Sequence, residues 1–186
     1  MRVLDLGCGT GCDLSFWGIT QSDQIVGLDI DIDSLLTAKQ RFPVRPHIQG
    51  TAESLPFVNE SFEHVVSAVA MPYMKIPVAL REIQRTLAPG GRVSLSLHLP
   101  SFTLRELTHN AFPRPIATLF RLYVLANGLW FHLTGKTAGF LKNRTESCQT
   151  ERGMRIALNR AGFVSPSFSR KAGPAGEMFF VEARRA

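Results

Sequence analysis

Val3–Asp13 reads VLDLGCGTGCD, an apolar run broken by one acid that passes directly into glycines at positions 7, 9 and 11. Positions without side chains let a loop's N–H groups approach a ligand closely. A dinucleotide loop, G-x-G-x-x-G, would put its third glycine at position 12, where Cys12 stands. The pattern is instead D-x-G-x-G-x-G, with Asp5 closing a first strand. An acid beside the loop would repel a pyrophosphate and suits a cationic group. Asp29 lies 22 residues after Gly7, at the end of a second apolar run. A carboxylate there can accept both hydroxyls of a ribose. These residues ask for a nucleoside joined to something positively charged.

Outward from this loop, apolar runs bounded by turn residues recur at 2–6, 24–29, 44–49, 64–70 and 92–99. Helical periods lie between them. Residues 33–42 predict a helix capped by Asp33 or Ser34, with Asp31 and Asp33 as helix-start acids, not ligands. Residues 77–87 predict another, with Pro77 in the first turn and Leu80, Ile83 and Leu87 on one face. Pro89–Gly91 reads as its stop and a turn into the next strand. The alternation predicts an α/β fold, a doubly wound, mostly parallel sheet with its ligand crevice at the carboxyl ends of the strands.

The chain has 186 residues, 45% of them hydrophobic and 19% charged, the composition of one globular domain and not of a disordered chain. Its start lacks the basic run and apolar stretch of a signal peptide. Cys8, Cys12 and Cys148 are an odd number in no metal-like spacing and read as small buried thiols in a reducing cytoplasm, so no metal site is expected. The charge is uneven. Residues 101–186 carry 13 Lys or Arg against 5 Asp or Glu, whereas residues 1–100 carry 8 against 10. The basic excess reads as a solvated face, with an anionic partner as the sharper alternative.

Four stretches in order, VLDLGCGTG, IVGLDID, GTAESLPFVNESFEHVVSA and LREIQRTLAPGGRVSLSL, resemble the class I S-adenosylmethionine-dependent methyltransferases, most of all the small-molecule branch with the LPF…PGG pattern. The resemblance covers residues 2–99 and implies a Rossmann-like seven-stranded sheet ending in an antiparallel strand, with S-adenosyl-L-methionine as cofactor. It implies that Asp5 and the loop Gly7, Cys8, Gly9 and Gly11 hold the methionine end, that Asp29 binds the ribose and that Ile30 packs on the adenine. Thr51, Ala52 and Glu53 would border the adenine edge, and Ser67 the floor below the sulfonium. The family often carries an acid where this chain has Thr51.

The acceptor side is less specific. Methyl transfer from a sulfonium needs proximity, alignment and a dry site, and a base only as the acceptor demands. Tyr73, in the AMPYM stretch after the fourth strand, and His98, at the end of the fifth, are the catalytic candidates. AMPYM lacks the side-chain acceptor that an amino-methylating nucleic-acid enzyme would need in place of Ala70. His109 and His132 fall on helices. Residues 100–148 exceed what a link to the last helix requires. Ser101 or Thr103 begins one helix, 113–115 breaks it, and 116–133 forms an apolar second helix, read as a lid over the acceptor. The lid points to a quinone, polyketide, terpenoid or lipid.

The expected organisation is one domain, 1–186, with a cofactor-binding half (1–99), a helical lid (100–148), and a last helix with two final strands (149–186). A small-molecule acceptor is favoured over nucleic acid and over a membrane surface. The family's usual helices before the first strand have no counterpart here: either the start is truncated, which would leave an apolar groove and a motive for a homodimer, or the lid or a partner subunit covers the cofactor pocket. An RNA methyltransferase and a non-catalytic cofactor-binding module are the alternatives.

Overall fold

The computed structural model describes residues 1–11, 14–110, 115–138, 146–173 and 176–186. The apolar runs become strands β1 (Arg2–Leu6), β2 (Gln24–Asp29), β3 (His47–Gln49), β4 (Phe62–Ala68), β5 (Leu87–His98), β6 (Phe163–Gly173) and β7 (Gly176–Arg185). They form one sheet in the order β3-β2-β1-β4-β5-β7-β6. β1 to β5 are parallel, and β7 runs antiparallel between β5 and β6. The order reverses beside β1, so the carboxyl ends of β1, β2 and β4 flank a switch point. This is the expected Rossmann-like architecture.

The helices are α1 (Ile32–Arg41), α2 (Ile76–Thr86), α3 (Pro100–Asn110), α4 (Pro115–Thr134) and α5 (Glu151–Arg160). α2 buries Ile76, Ala79, Leu80 and Ile83, a stripe at helical spacing, against Leu4, Leu6, Leu28, Val65, Leu95 and Leu97 of the sheet. Met154 and Leu158 of α5 and Phe131 of α4 join that core. Fully burying one such side chain stabilises the fold by about 1.5–3 kcal/mol. The opposite face of the sheet is thinner. Among the described residues, Val3, Leu14, Ile19 and Val66 form its buried cluster, with Trp17 and Ile25 packed on it. Asp5, His64 and Ser94 are buried among the polar residues, and His64 Nε2 and Ser94 Oγ are hydrogen-bonded at 2.9 Å.

Several boundaries differ from expectation. Asp31 is the N-cap of α1, its carboxylate accepting from the Ser34 N–H at 3.1 Å. Between β1 and β2 the described residues hold only a 3-10 turn, Ser15–Trp17, ended by Gly18 in the left-handed region, and Cys12 lies outside the described residues. β3 is three residues long because Pro43 and Pro46 bracket a turn before it. Pro89–Gly91 is no separate turn: β5 begins at Leu87 and carries a register shift against β4 there, with Gly90 at φ +73°.

The insertion between β5 and α5 is the helical pair α3–α4, and α4 is fastened by polar contacts. Asn127 Nδ2 donates to the Glu146 carbonyl at 2.9 Å, and the Ala138 N–H donates to Asn127 Oδ1 at 2.7 Å. Gly128 is needed for the approach: a Cβ there would meet Cys148 Sγ at 2.0 Å. Cys8 and Cys148 are free buried thiols, as expected.

Candidate functional site

Two hollows meet at the carboxyl ends of the strands. The first, about 280 Å³, is lined by Leu6, Gly7, Leu28, Asp29, Ile30, Gly50, Thr51, Ala52, Glu53, Ala70, Tyr73 and Met74. Its size is close to the lower end for ligand clefts. A larger concavity of about 800 Å³ opens at the other end of β2, between Gln24 and the turn at Phe42–Pro46. It gathers none of the predicted site residues, and the cleft at the switch point is the better candidate.

The three glycines do different work. Gly7, at φ +71°, lets the loop after β4 come close: a Cβ on it would sit 2.3 Å from Ala70 Cβ. Gly11, at φ +83°, admits the Phe42 ring, 2.7 Å from where its Cβ would be. Gly9, at φ +52°, faces open space, with nothing within 4 Å of a Cβ. Of the three, Gly7 alone lines the cleft and Gly9 alone has open space where a Cβ would stand. The N–H groups of Gly7 and Cys8 donate to the Leu28 carbonyl at 2.7 and 3.1 Å, and that of Gly11 to the Cys8 carbonyl at 2.9 Å. With the Gly9 N–H bonded to Asp29, the N–H groups of Gly7, Cys8, Gly9 and Gly11 are all taken up within the protein.

Asp29 locks the loop. One carboxylate oxygen accepts the Gly9 N–H at 2.7 Å and the other the Asp31 N–H at 3.0 Å. A carboxylate has about four lone-pair sites, so each oxygen keeps one for a hydroxyl. Ile30 stands exposed at the rim, where an apolar side chain suits a ring face. On the far side, the Thr51–Ser54 turn is tied to the loop after β4, because Glu53 Oε1 accepts the Lys75 N–H at 2.7 Å.

Asp5 and Ser67 lie beneath the cleft, not in its wall. Asp5 is fully buried and neither carboxylate oxygen has a hydrogen-bond partner. Burial pushes its pKa up to about 7, with the Arg45 guanidinium opposing and the Asp29 charge adding to the rise. Ser67 is buried with its Oγ unpartnered. Leu6, Leu28, Gly50, Ala70 and Met74 complete the cleft and were missed, since apolar and small residues carry no chemical signature in a sequence.

The second hollow, about 60 Å³, lies between the loop after β4 and the insertion. Tyr73, His98, Phe102, Phe120, Arg121, Val124 and the segment 146–149 line it. Tyr73 borders both hollows. The His98 ring stacks on Phe102 with centroids 4.3 Å apart. Gln149 is buried, its Nε2 donating to the Ser147 carbonyl at 2.5 Å while Oε1 has no partner. His132 is structural: its Nδ1 is bonded at 2.9 Å to the hydroxyl of Thr150, the N-cap of α5. The side chain of His109 lies outside the described residues. Among the described residues no cluster of His, Cys, Asp or Glu could hold a metal.

Residues 4–95, about half of the chain, match a family described as "Methyltransferase domain". The chain belongs to the class I S-adenosylmethionine-dependent methyltransferases. It is 34% identical over 109 residues to malonyl-[acyl-carrier protein] O-methyltransferase of Erwinia pyrifoliae, covering 58% of this chain and 41% of that protein. It is 36% identical over 99 residues to 2-phytyl-1,4-naphtoquinone methyltransferase of Thermosynechococcus vestitus, covering 50% and 44%. The matched stretch is thus less than half the length of either relative. A Thermotoga maritima structure, described as a S-adenosylmethionine-dependent methyltransferase and possible histamine N-methyltransferase, superposes with a TM-score of 0.69 at 17% identity, covering 100% of this chain and 82% of that one. The methyltransferase cofactor, S-adenosylmethionine, fits the cleft: Gly7, Asp29 and Ile30 line it, Asp29 keeps free lone pairs, and an unpartnered acid is buried below.

Proposed function

We propose that this chain moves a methyl group from S-adenosylmethionine to an oxygen or carbon of a small apolar or aromatic acceptor. The observation that carries the reading is Tyr73, a wall common to the cofactor cleft and to the hollow under α4. The reading takes the chain as one domain, with 1–99 holding cofactor, 100–148 covering the acceptor and 149–186 completing the sheet.

When bound, S-adenosylmethionine supplies a methyl on an activated sulfonium, whose carbon–sulfur bond breaks as the acceptor atom bonds to that carbon. The chain's part is to bind, align and dry the site. Asp29 takes the ribose hydroxyls, Ile30 packs on the adenine, and Thr51, Ala52 and Glu53 border its edge. Gly7, Cys8, Gly9 and Gly11 shape the methionine end, above the Asp5 carboxylate. Phe102, Phe120 and Val124 exclude water from the acceptor. His98, at the edge of that hollow, takes a proton from an acidic acceptor, and Tyr73 orients it. An apolar acceptor agrees with these walls and with the phytyl-naphthoquinone substrate named for one relative, whereas the malonyl group named for the other is a charged acid.

The test has two stages. Calorimetry should show S-adenosylmethionine binding that weakens at least about tenfold in Asp29→Ala, because charge-assisted hydrogen bonds contribute about 1.5–3 kcal/mol each. Labelled methyl should then pass to a naphthoquinol or a long-chain acid, and His98→Gln should slow transfer without changing cofactor affinity. Cofactor binding with no transfer to any apolar acceptor would leave a cofactor-binding module in place of an enzyme.

A further inference from the structure

The helix α4 carries two apolar faces. The inner one is used: Val124, Asn127, Gly128 and Phe131 are buried against the body of the protein. The outer one is not. Every residue of α4 described as exposed is apolar: Ile116, Leu119, Leu122, Ala126, Leu129, Trp130 and Leu133. The exposures are large, 83% for Ile116, 67% for Leu119 and 62% for Leu129. Leu104 of the adjoining α3 is exposed as well. A surface helix ordinarily turns polar residues to water, and a continuous apolar stripe marks an interaction site.

The stripe cannot be buried by rotating the helix. Asn127 is bonded on both sides of its amide, to the Glu146 carbonyl and the Ala138 N–H, and Gly128 is packed on Cys148. The same fastening bears on how the helix meets a bilayer. It is long and apolar enough to cross one, with 19 residues at mean hydropathy 1.2. However, its inner side is bonded to protein and carries Asn127, Arg121 and His132, so it is suited to lying in an interface and not to spanning it.

The charge around the stripe identifies the partner. Among the residues of 100–160 whose side chains are described, six are Lys or Arg and two are Glu. Arg105 follows Leu104 on α3, Lys136 is exposed just past α4, and Arg160 donates to the Thr134 carbonyl at its end. A symmetric pairing of two copies through this face would bring these cations together, and like charges oppose it. Anionic headgroups would neutralise them while the stripe enters the acyl boundary. We infer that the outer face of α3–α4 docks on an anionic lipid surface. The acceptor hollow lies under the same helix, lined by Phe120, Arg121 and Val124, so docking would set its mouth beside a lipid-dissolved acceptor. The docking surface lies outside both hollows and does not depend on which acceptor is methylated.

The full chain should float with vesicles of equal parts phosphatidylglycerol and phosphatidylcholine, and much less with phosphatidylcholine alone or in high salt. In a Trp17→Phe background, Trp130 emission should shift to the blue on adding the anionic vesicles. Leu119→Glu with Leu129→Glu should lower the partition coefficient at least about tenfold, with melting temperature and S-adenosylmethionine affinity unchanged. Three results would overturn the inference: wild-type protein that stays free of both vesicles, unshifted Trp130 emission in a floating complex, or a wild-type dimer that the double variant converts to monomer with no vesicle binding by either.

Discussion

Asp5→Asn tests the electrostatics beneath the cofactor cleft. In the native state the carboxyl is buried on β1, beside Gly27 and Val66 in register, with its pKa pushed up to about 7 from 3.8. Between these values the folded chain keeps a proton that the unfolded chain releases. Stability contributed by this group is therefore full below about pH 4 and is lost as the pH rises to about 7. About three pH units at 1.36 kcal/mol each set a ceiling of roughly 4 kcal/mol. His64 has the opposite slope. Burial, aided by Arg92, lowers its pKa to about 4, so stability falls as the pH drops from about 6.5. His47 is shifted in the same direction by burial and by Arg45. In the wild type these slopes oppose one another over the acid range. Asp5→Asn removes one of them. The variant should lose stability steadily below about pH 6.5, and at about pH 8 it should be more stable than wild type. A buried amide without partners costs about 1–3 kcal/mol, so the net gain should be about 1–3 kcal/mol. Urea denaturation of cofactor-free protein at several pH values measures both effects. A variant less stable than wild type at about pH 8, with an unchanged pH slope, would refute the reasoning. S-adenosylmethionine, if its ammonium is held above Asp5, should stabilise wild type more than the variant.

Two further outcomes follow from the glycines. Gly9→Val should abolish cofactor binding, measured by calorimetry, while the cofactor-free protein loses only about 1–2 kcal/mol for the positive φ, since nothing lies within 4 Å of the new Cβ. Gly128→Ala should destabilise the chain by about 1–3 kcal/mol in thermal or urea melts, because its Cβ would press on Cys148 Sγ and on the backbone of the same residue.

The cofactor half of the fold was legible because its signals are local. A strand buried on both faces reads as an apolar run, and β1, β2, β4 and β5 each begin or end within a few residues of theirs. The same locality explains the misses. Nothing in SLSLH tells that β5 starts as early as Leu87, because its first residues include Pro89 and two glycines, which ordinarily end an element. The glycine loop was legible as a loop but not in its division of labour. That Gly11 is kept clear for Phe42 and Gly7 for Ala70 depends on contacts 31 and 63 residues away.

The acceptor side was read less well, and α4 shows why. Its apolar residues are spread around the helix, so the period that identifies a helix does not identify its inner face. Phe120 and Trp130 are both among them. The structure separates them: Phe120 lines the acceptor hollow, and Trp130 is half exposed on the outer stripe. What orients the helix is a small set of residues that hydropathy ranks low. Asn127 needs partners for both ends of its amide and finds them at Ala138 and Glu146, and the absence of a Cβ at Gly128 allows the approach to Cys148. A buried amide without those partners would cost about as much as burying one aliphatic side chain returns, so the polar contacts decide the orientation of a helix whose apolar residues favour no single face. A helix aligned by its polar residues is free to carry apolar ones on its other faces, which is how α4 places Phe120 in a hollow and also turns Leu119, Leu129 and Trp130 to solvent.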